Sequence, residues 1–159
     1  MRTWSSSSAL SKSLVALALL VGACSALAED GGVSGDLARM QGRWVTKAGE
    51  RHEMTVLLEI TGKTVNVEIT SPLGVKLQAH GAVRVNEKAV PRALDWVGFS
   101  GADVIEMPDI PAIYELGNGT LRVCNGGPNN PRPAEFKPGA GVLSDLHVFE
   151  RAAAAGANH

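Results

Sequence analysis

Few residues in this chain have the chemistry of a reactive site, and they are scattered. Cys124 is the first candidate nucleophile, because a thiol attacks as thiolate where a neighbouring base lowers its pKa. His52, His80 and His147 could supply such a base, yet none is near Cys124 in sequence. A small buried group at a strand end accounts for Cys124 equally well. His159 belongs to the C-terminal tail, and the four histidines show neither H-x-H nor H-E-x-x-H spacing. Asp103, Glu106 and Asp109 place carboxylates along one connection. Ca²⁺ requires roughly six to eight oxygens, and the intervening Val104, Ile105, Met107 and Pro108 break up such a cage. No metal and no cofactor are expected.

Two polar residues suit recognition better than catalysis. Asp95, between Leu94 and Trp96, is a candidate polar anchor in a pocket, or a side chain that bonds turn amides. Arg132, beside Pro133, could reach over a barrel mouth to an anionic group, since a guanidinium forks onto a carboxylate. It could also pin its loop to backbone carbonyls. Asn118-Gly119-Thr120 matches a glycosylation sequon, but Asn-Gly between strands is first a hairpin tip. Neither a phosphate-binding glycine loop nor a Ser/His/Asp order nor a carboxylate pair is present in the sequence, so a non-enzymatic protein is expected.

The elements that position these residues are strands. With 159 residues, 45% apolar and 19% charged, the chain suits one globular domain and not a disordered or coiled-coil chain. Met54, Val56, Leu58 and Ile60 alternate with Thr55 and Glu59, and Thr61-Gly62-Lys63 turns into Val65, Val67 and Ile69. Val75, Leu77 and Ala79 continue through Gly81 to Val83 and Val85, where the glycine predicts a bend or bulge. Ala93–Phe99, Ile113–Leu116, Thr120–Cys124 and Leu146–Arg151 follow, and Arg43–Lys47 precedes them. Eight strands with one apolar face must close on themselves, so the expected fold is an all-β antiparallel barrel, with a two-sheet sandwich as the alternative. Ser100–Ala112 and Asn125–Leu143 are the long connections. The second is rich in Gly and Pro and reads as an ordered wrap or a mobile lid.

The N-terminus reads as an address. Arg2 and Lys12 precede the apolar run Leu14–Val21, which is too short to span a bilayer and is followed by small residues. Ala26-Leu27-Ala28 would release a chain beginning at Glu29, giving a signal peptide over 1–28. Val21-Gly22-Ala23-Cys24 resembles a lipobox, with a signal over 1–23 and lipid on Cys24. Residues 29–36 read as a linker, 37–151 as the barrel and 152–159 as a disordered tail. The expected location is periplasmic, extracellular or lipid-anchored in the envelope. Arg2 and Lys12 account for two of the 15 basic groups, and the signal holds none of the 16 acidic ones. The exported chain is therefore acidic, which disfavours nucleic acid as a partner, and it would meet membrane only through Cys24.

Gly42-Arg43-Trp44 at the start of the first strand resembles the G-x-W signature of lipocalins and related calycins. That resemblance implies a Trp packed under one end of the barrel and an Arg from the last strand, here Arg151, lying across it. A longer resemblance covers Leu37 to Arg151. It rests on Leu37-x-x-x-x-Gly42-x-Trp44, Pro91-x-x-Leu94-Asp95, Ile113-Tyr114-x-Leu116, Leu121-Arg122-Val123-Cys124, Arg132-Pro133-x-x-Phe136 and Val148-Phe149-x-Arg151. These are similar to a family of uncharacterised exported domains common in planctomycete genomes. The family implies a lipocalin-like fold and brings no activity to carry over. Gly117-Asn118-Gly119 departs from it, since members often carry an acidic residue there.

The expected function is an exported binding module for a small apolar or amphipathic ligand, with Arg132 and Asp95 as anchors. The alternative is an envelope protein-interaction or inhibitor-like domain with a filled barrel. The intact mass of the mature protein separates the two export routes: acyl chains on Cys24 select the anchor, and an N-terminus at Glu29 selects release. An uncleaved Met1 overturns both.

Overall fold

The computed structural model describes residues 32–102 and 106–153; the signal, Cys24, Asp103 and His159 lie outside them. Helix α1 (Gly35–Met40) leads into β1 (Gly42–Ala48), β2 (Met54–Thr61), β3 (Thr64–Thr70), β4 (Lys76–Asn86), β5 (Ala93–Ser100), β6 (Ile110–Leu116), β7 (Thr120–Asn125) and β8 (Leu146–Arg151). The strands pair in sequence order and β8 returns to β1, closing an antiparallel barrel. Closure removes both sheet edges and gives every alternate side chain an interior to fill.

The interior follows the period-two pattern. Trp44 opposes Leu58, Ile60 opposes Val65, Val83 opposes Trp96 and Leu121 opposes Phe149, and all belong to one buried cluster. Gly81 marks a bulge, as its position in β4 suggests, but the additional residue sits in β5. His80 pairs with Ser100 and Ala82 with Val97, so two steps on β4 face three on β5. Gly98 takes the left-handed backbone (φ 58°) that this requires. The bulge turns both Trp96 and Phe99 inward, edge to face at 6.1 Å. A Cβ on Gly81 would lie 2.6 Å from the Phe99 ring, so glycine is the seat of that ring.

β6 begins at Ile110, earlier than its alternation suggests, and includes Pro111. Proline is tolerated because its missing N–H points to the β7 side, where the regular strand ends at Asn125. There, Gly126 N donates to Pro111 O at 2.7 Å. The Gly126 carbonyl, which no N–H at 111 can claim, accepts from Asn130 Nδ2 and Ser144 Oγ, each at 2.8 Å.

One end of the barrel is closed by α1. Trp44 Nε1 donates to Met40 O at 2.8 Å, and the Arg151 guanidinium lies 4.2 Å over the indole. Arg151 also donates to Gln41 O (2.8 Å) and Arg39 O (2.6 Å), so one side chain ties the last strand to the helix and the tryptophan. Gln41 exchanges hydrogen bonds with both N–H and C=O of Gly62, joining α1 to the β2–β3 turn. The helix starts at Gly35, inside the stretch read as linker, and its Asp36 is 6% exposed. Asp36 accepts from Tyr114 Oη (2.7 Å), Arg92 Nη1 (2.8 Å) and Arg39 Nη1 (3.1 Å). Burial, and then the carboxylate beside it, push the Tyr114 hydroxyl far above its ordinary pKa, so it remains a donor.

Trp44→Ala is expected to cost about 3–5 kcal/mol by large-to-small core precedent. Arg151→Ala should cost less, and the double variant less than the two combined, because they share a contact worth about 0.5–2 kcal/mol. Denaturant midpoints check this; strict additivity overturns the shared contact.

Candidate binding surfaces on the outer wall

The interior is packed with side chains over the half nearest α1, while towards the β3–β4 end Val67, Ile69 and Ala79 are only half-buried and Leu77 is 44% exposed. Trp44, Leu58, Ile60, Val65, Val83, Leu94, Tyr114, Leu121 and Val123 are each at most 2% exposed and meet one another. No buried side-chain nitrogen or oxygen among the described residues lacks a partner. The two polar residues expected to serve recognition lie on the outer wall.

Arg132 and Asp95 are brought together there. Arg132 Nη2 donates to Asp95 Oδ1 at 2.6 Å, while Nη1 donates to Leu94 O (2.8 Å) and Ala112 O (2.6 Å). Asp95 sits between the inward Leu94 and Trp96 and so faces out. Arg132 is not over the barrel mouth: its guanidinium is spent on one carboxylate and the carbonyls of two adjacent strands. The pair lines an open depression of about 480 Å³ with Arg84, Asn86, Val90 and Pro133. Arg84 is itself paired with Asp109 at 2.7 Å.

Arg132 anchors the Gly/Pro-rich segment after β7, which is an ordered strap along the outer wall rather than a lid. Arg122 stacks on Phe136 at 4.5 Å, and Cys124 Sγ donates to Lys137 O at 3.2 Å. Beneath the strap runs an apolar row facing outward across four strands: Ala93, Ile113, Cys124 and Leu146 in register. The first three are buried but stand apart from the interior cluster. Burial pushes the Cys124 thiol up, away from the thiolate, and the sulfur faces a carbonyl rather than a base. At the strap's far end Asp145 is held below the usual carboxylate range, chiefly by the His147 ring donating to it at 3.0 Å.

The opposite side of the wall is bare and polar. Glu59, Asn66, His80 and Ser100 lie in register across β2 to β5. They line a shallow depression of about 660 Å³ together with Glu68, Lys76 and Gln78. Glu68 receives Lys76 and Gln78, each at 2.8 Å, and those bonds hold its carboxyl below the ordinary value. Next to this face the β3–β4 turn projects Leu73 (91% exposed) and Val75 (60%). The turn is fixed by Ser71, whose N–H donates to Val75 O (2.9 Å) and whose Oγ accepts from Val75 N (3.1 Å). His52 is exposed in the β1–β2 connection. Among the described residues no three metal-ligating side chains converge.

Sequence reading missed Asp36 and the apolar outer row. The unbroken run Ala112-Ile113-Tyr114 was the available signal for the row, because a strand buried on both faces loses alternation. No family model, curated protein or solved structure matches the chain.

Because Arg132 pins the strap, Arg132→Ala should expose Cys124. A thiol reagent, with labelling located by peptide mass, should modify Cys124 faster in the variant than in the wild type under native conditions. Equal rates would show that the strap holds without this guanidinium.

Proposed function

We propose that this protein is an exported, non-enzymatic interaction module of calycin-like build, in which a filled barrel holds an outer contact face rigid for an envelope protein. The observation that carries this reading is the packed interior. An eight-stranded barrel has space for side chains or for one small ligand, and here side chains fill the half nearest α1. The contact face is the β3–β4 side of the wall. Leu73 and Val75 project as apolar anchors, and Lys76, Gln78, Glu68 and His80 provide polar groups beside them. An apolar centre with a polar rim is the usual anatomy of a protein interface, and a turn already ordered by Ser71 loses little entropy on docking. The buried Cys124 and the internally paired Asp95 favour binding over catalysis.

Photo-crosslinkers placed at Leu73 and at Val90 in intact envelopes test the reading. Val90 is 98% exposed on the β4–β5 turn, at the barrel end closed by α1, and serves as the control. A discrete protein adduct from position 73 and none from 90 is the expected result. Phospholipid adducts from 73, or fatty-acid affinity tighter than millimolar that rises with chain length, would overturn it in favour of a membrane or an interior ligand.

A further inference from the structure

The chain contains two Asn-Gly pairs, Asn118-Gly119 and Asn125-Gly126, and the structure treats them oppositely. In such a pair the glycine backbone nitrogen can attack the asparagine side-chain carbonyl carbon. The N–Cγ bond forms, ammonia leaves, and water opens the resulting succinimide to aspartate or isoaspartate. No enzyme, oxidant or cofactor is needed, but the attacking N–H must be free and the side chain mobile.

At Asn125 both conditions fail. Gly126 N donates to Pro111 O at 2.7 Å. Asn125 Oδ1 accepts from Trp96 Nε1 at 2.9 Å, and its Nδ2 is directed at Asp145 Oδ1 at 3.4 Å. Nucleophile and electrophile are both held under the strap. At Asn118 neither group is held by a hydrogen bond among the described residues. The residue is exposed at the tip of the β6–β7 hairpin, and Gly119 has a left-handed backbone (φ 84°) with open space where a Cβ would stand. Gly119 uses its carbonyl, which accepts from Arg151 N at 2.9 Å, while its N–H donates to nothing among the described residues.

We infer that Asn118 is a self-modifying site that slowly converts the neutral hairpin tip into an anionic one facing the guanidiniums of the barrel floor. Asn118 and Gly119 line an open depression of about 360 Å³ with Arg39, Gln41 and Arg151. Arg151 spans Trp44, and Arg39 braces Asp36. A carboxylate formed at 118 therefore appears beside two cations in a region that has no other acid in its lining. The attraction strengthens the hold of β8 and the β6–β7 hairpin on α1, and it is screened by salt.

The test uses the full chain, incubated folded and, in parallel, unfolded in urea at mildly alkaline pH, with peptide masses read for both sites. In urea both asparagines should convert. In the folded chain Asn118 should gain the mass of the amide-to-acid exchange, with isoaspartate detectable by enzymatic methyl labelling, while Asn125 stays unchanged. Asn118→Gln should remove the folded-state signal. Conversion of Asn125 at a comparable rate, or no conversion of Asn118 after the urea sample is half converted, overturns the site. Separately, Asn118→Asp should raise the melting temperature at low salt and lose that gain at about 1 M salt. It should also lose it when Arg39→Gln is added; a salt-independent effect overturns the link to the floor.

Discussion

Closure of the sheet rests on a short seam. Where β1 meets β2, seven residue pairs are in register, but where β1 meets β8 there are two, Trp44 with Arg151 and Val45 with Glu150. So short a ladder needs side chains to hold it. Thr46 Oγ1 reaches Val148 O at 2.7 Å, and the Arg151 guanidinium bridges the indole to two helix carbonyls. Trp44 is thus at once a seam residue, the largest of the fully buried side chains and the acceptor surface for the cation. With the seam open, β1 and β8 would present unpaired edges and the interior would lose its floor.

The closed barrel then distributes its outer surface unequally. From β5 to β8 the outward row is apolar and needs a cover, which the strap provides. From β2 to β5 the outward row is Glu59, Asn66, His80 and Ser100, and it meets water. Pro111 links the two regimes: by lacking an N–H it leaves the Gly126 carbonyl to Asn130 and Ser144, which start and finish the strap. One side of the barrel is therefore covered by the chain's own strap, and the other stays open to water.

Much of this was legible in the sequence, because strand alternation is a local property. Met54 to Ile60 and Val65 to Ile69 announce both their strands and their inward faces, and Gly-x-Trp with a terminal Arg points to the floor. What stayed hidden depends on distance along the chain. Asp36 sits in a short, glycine-flanked acidic stretch that reads as linker, and its partners Glu87, Arg92 and Tyr114 lie 51, 56 and 78 residues away. Arg132 shows a cation in a loop, but nothing local reveals that its acceptors are carbonyls on two strands 38 and 20 residues earlier. The proline in β6 reads as a break because its harmlessness depends on where β7 stops.

The described chain enters the barrel through α1 and leaves it at Ala152, whose N–H bonds Arg43 O at 2.9 Å, so both points lie at the helix-closed end. The β3–β4 turn lies at the other. Strands of seven or eight residues, tilted as closure demands, separate the two ends by roughly 15–20 Å. The height of Leu73 above the helix-closed end is thus determined by packing within the barrel and not by the length of a linker.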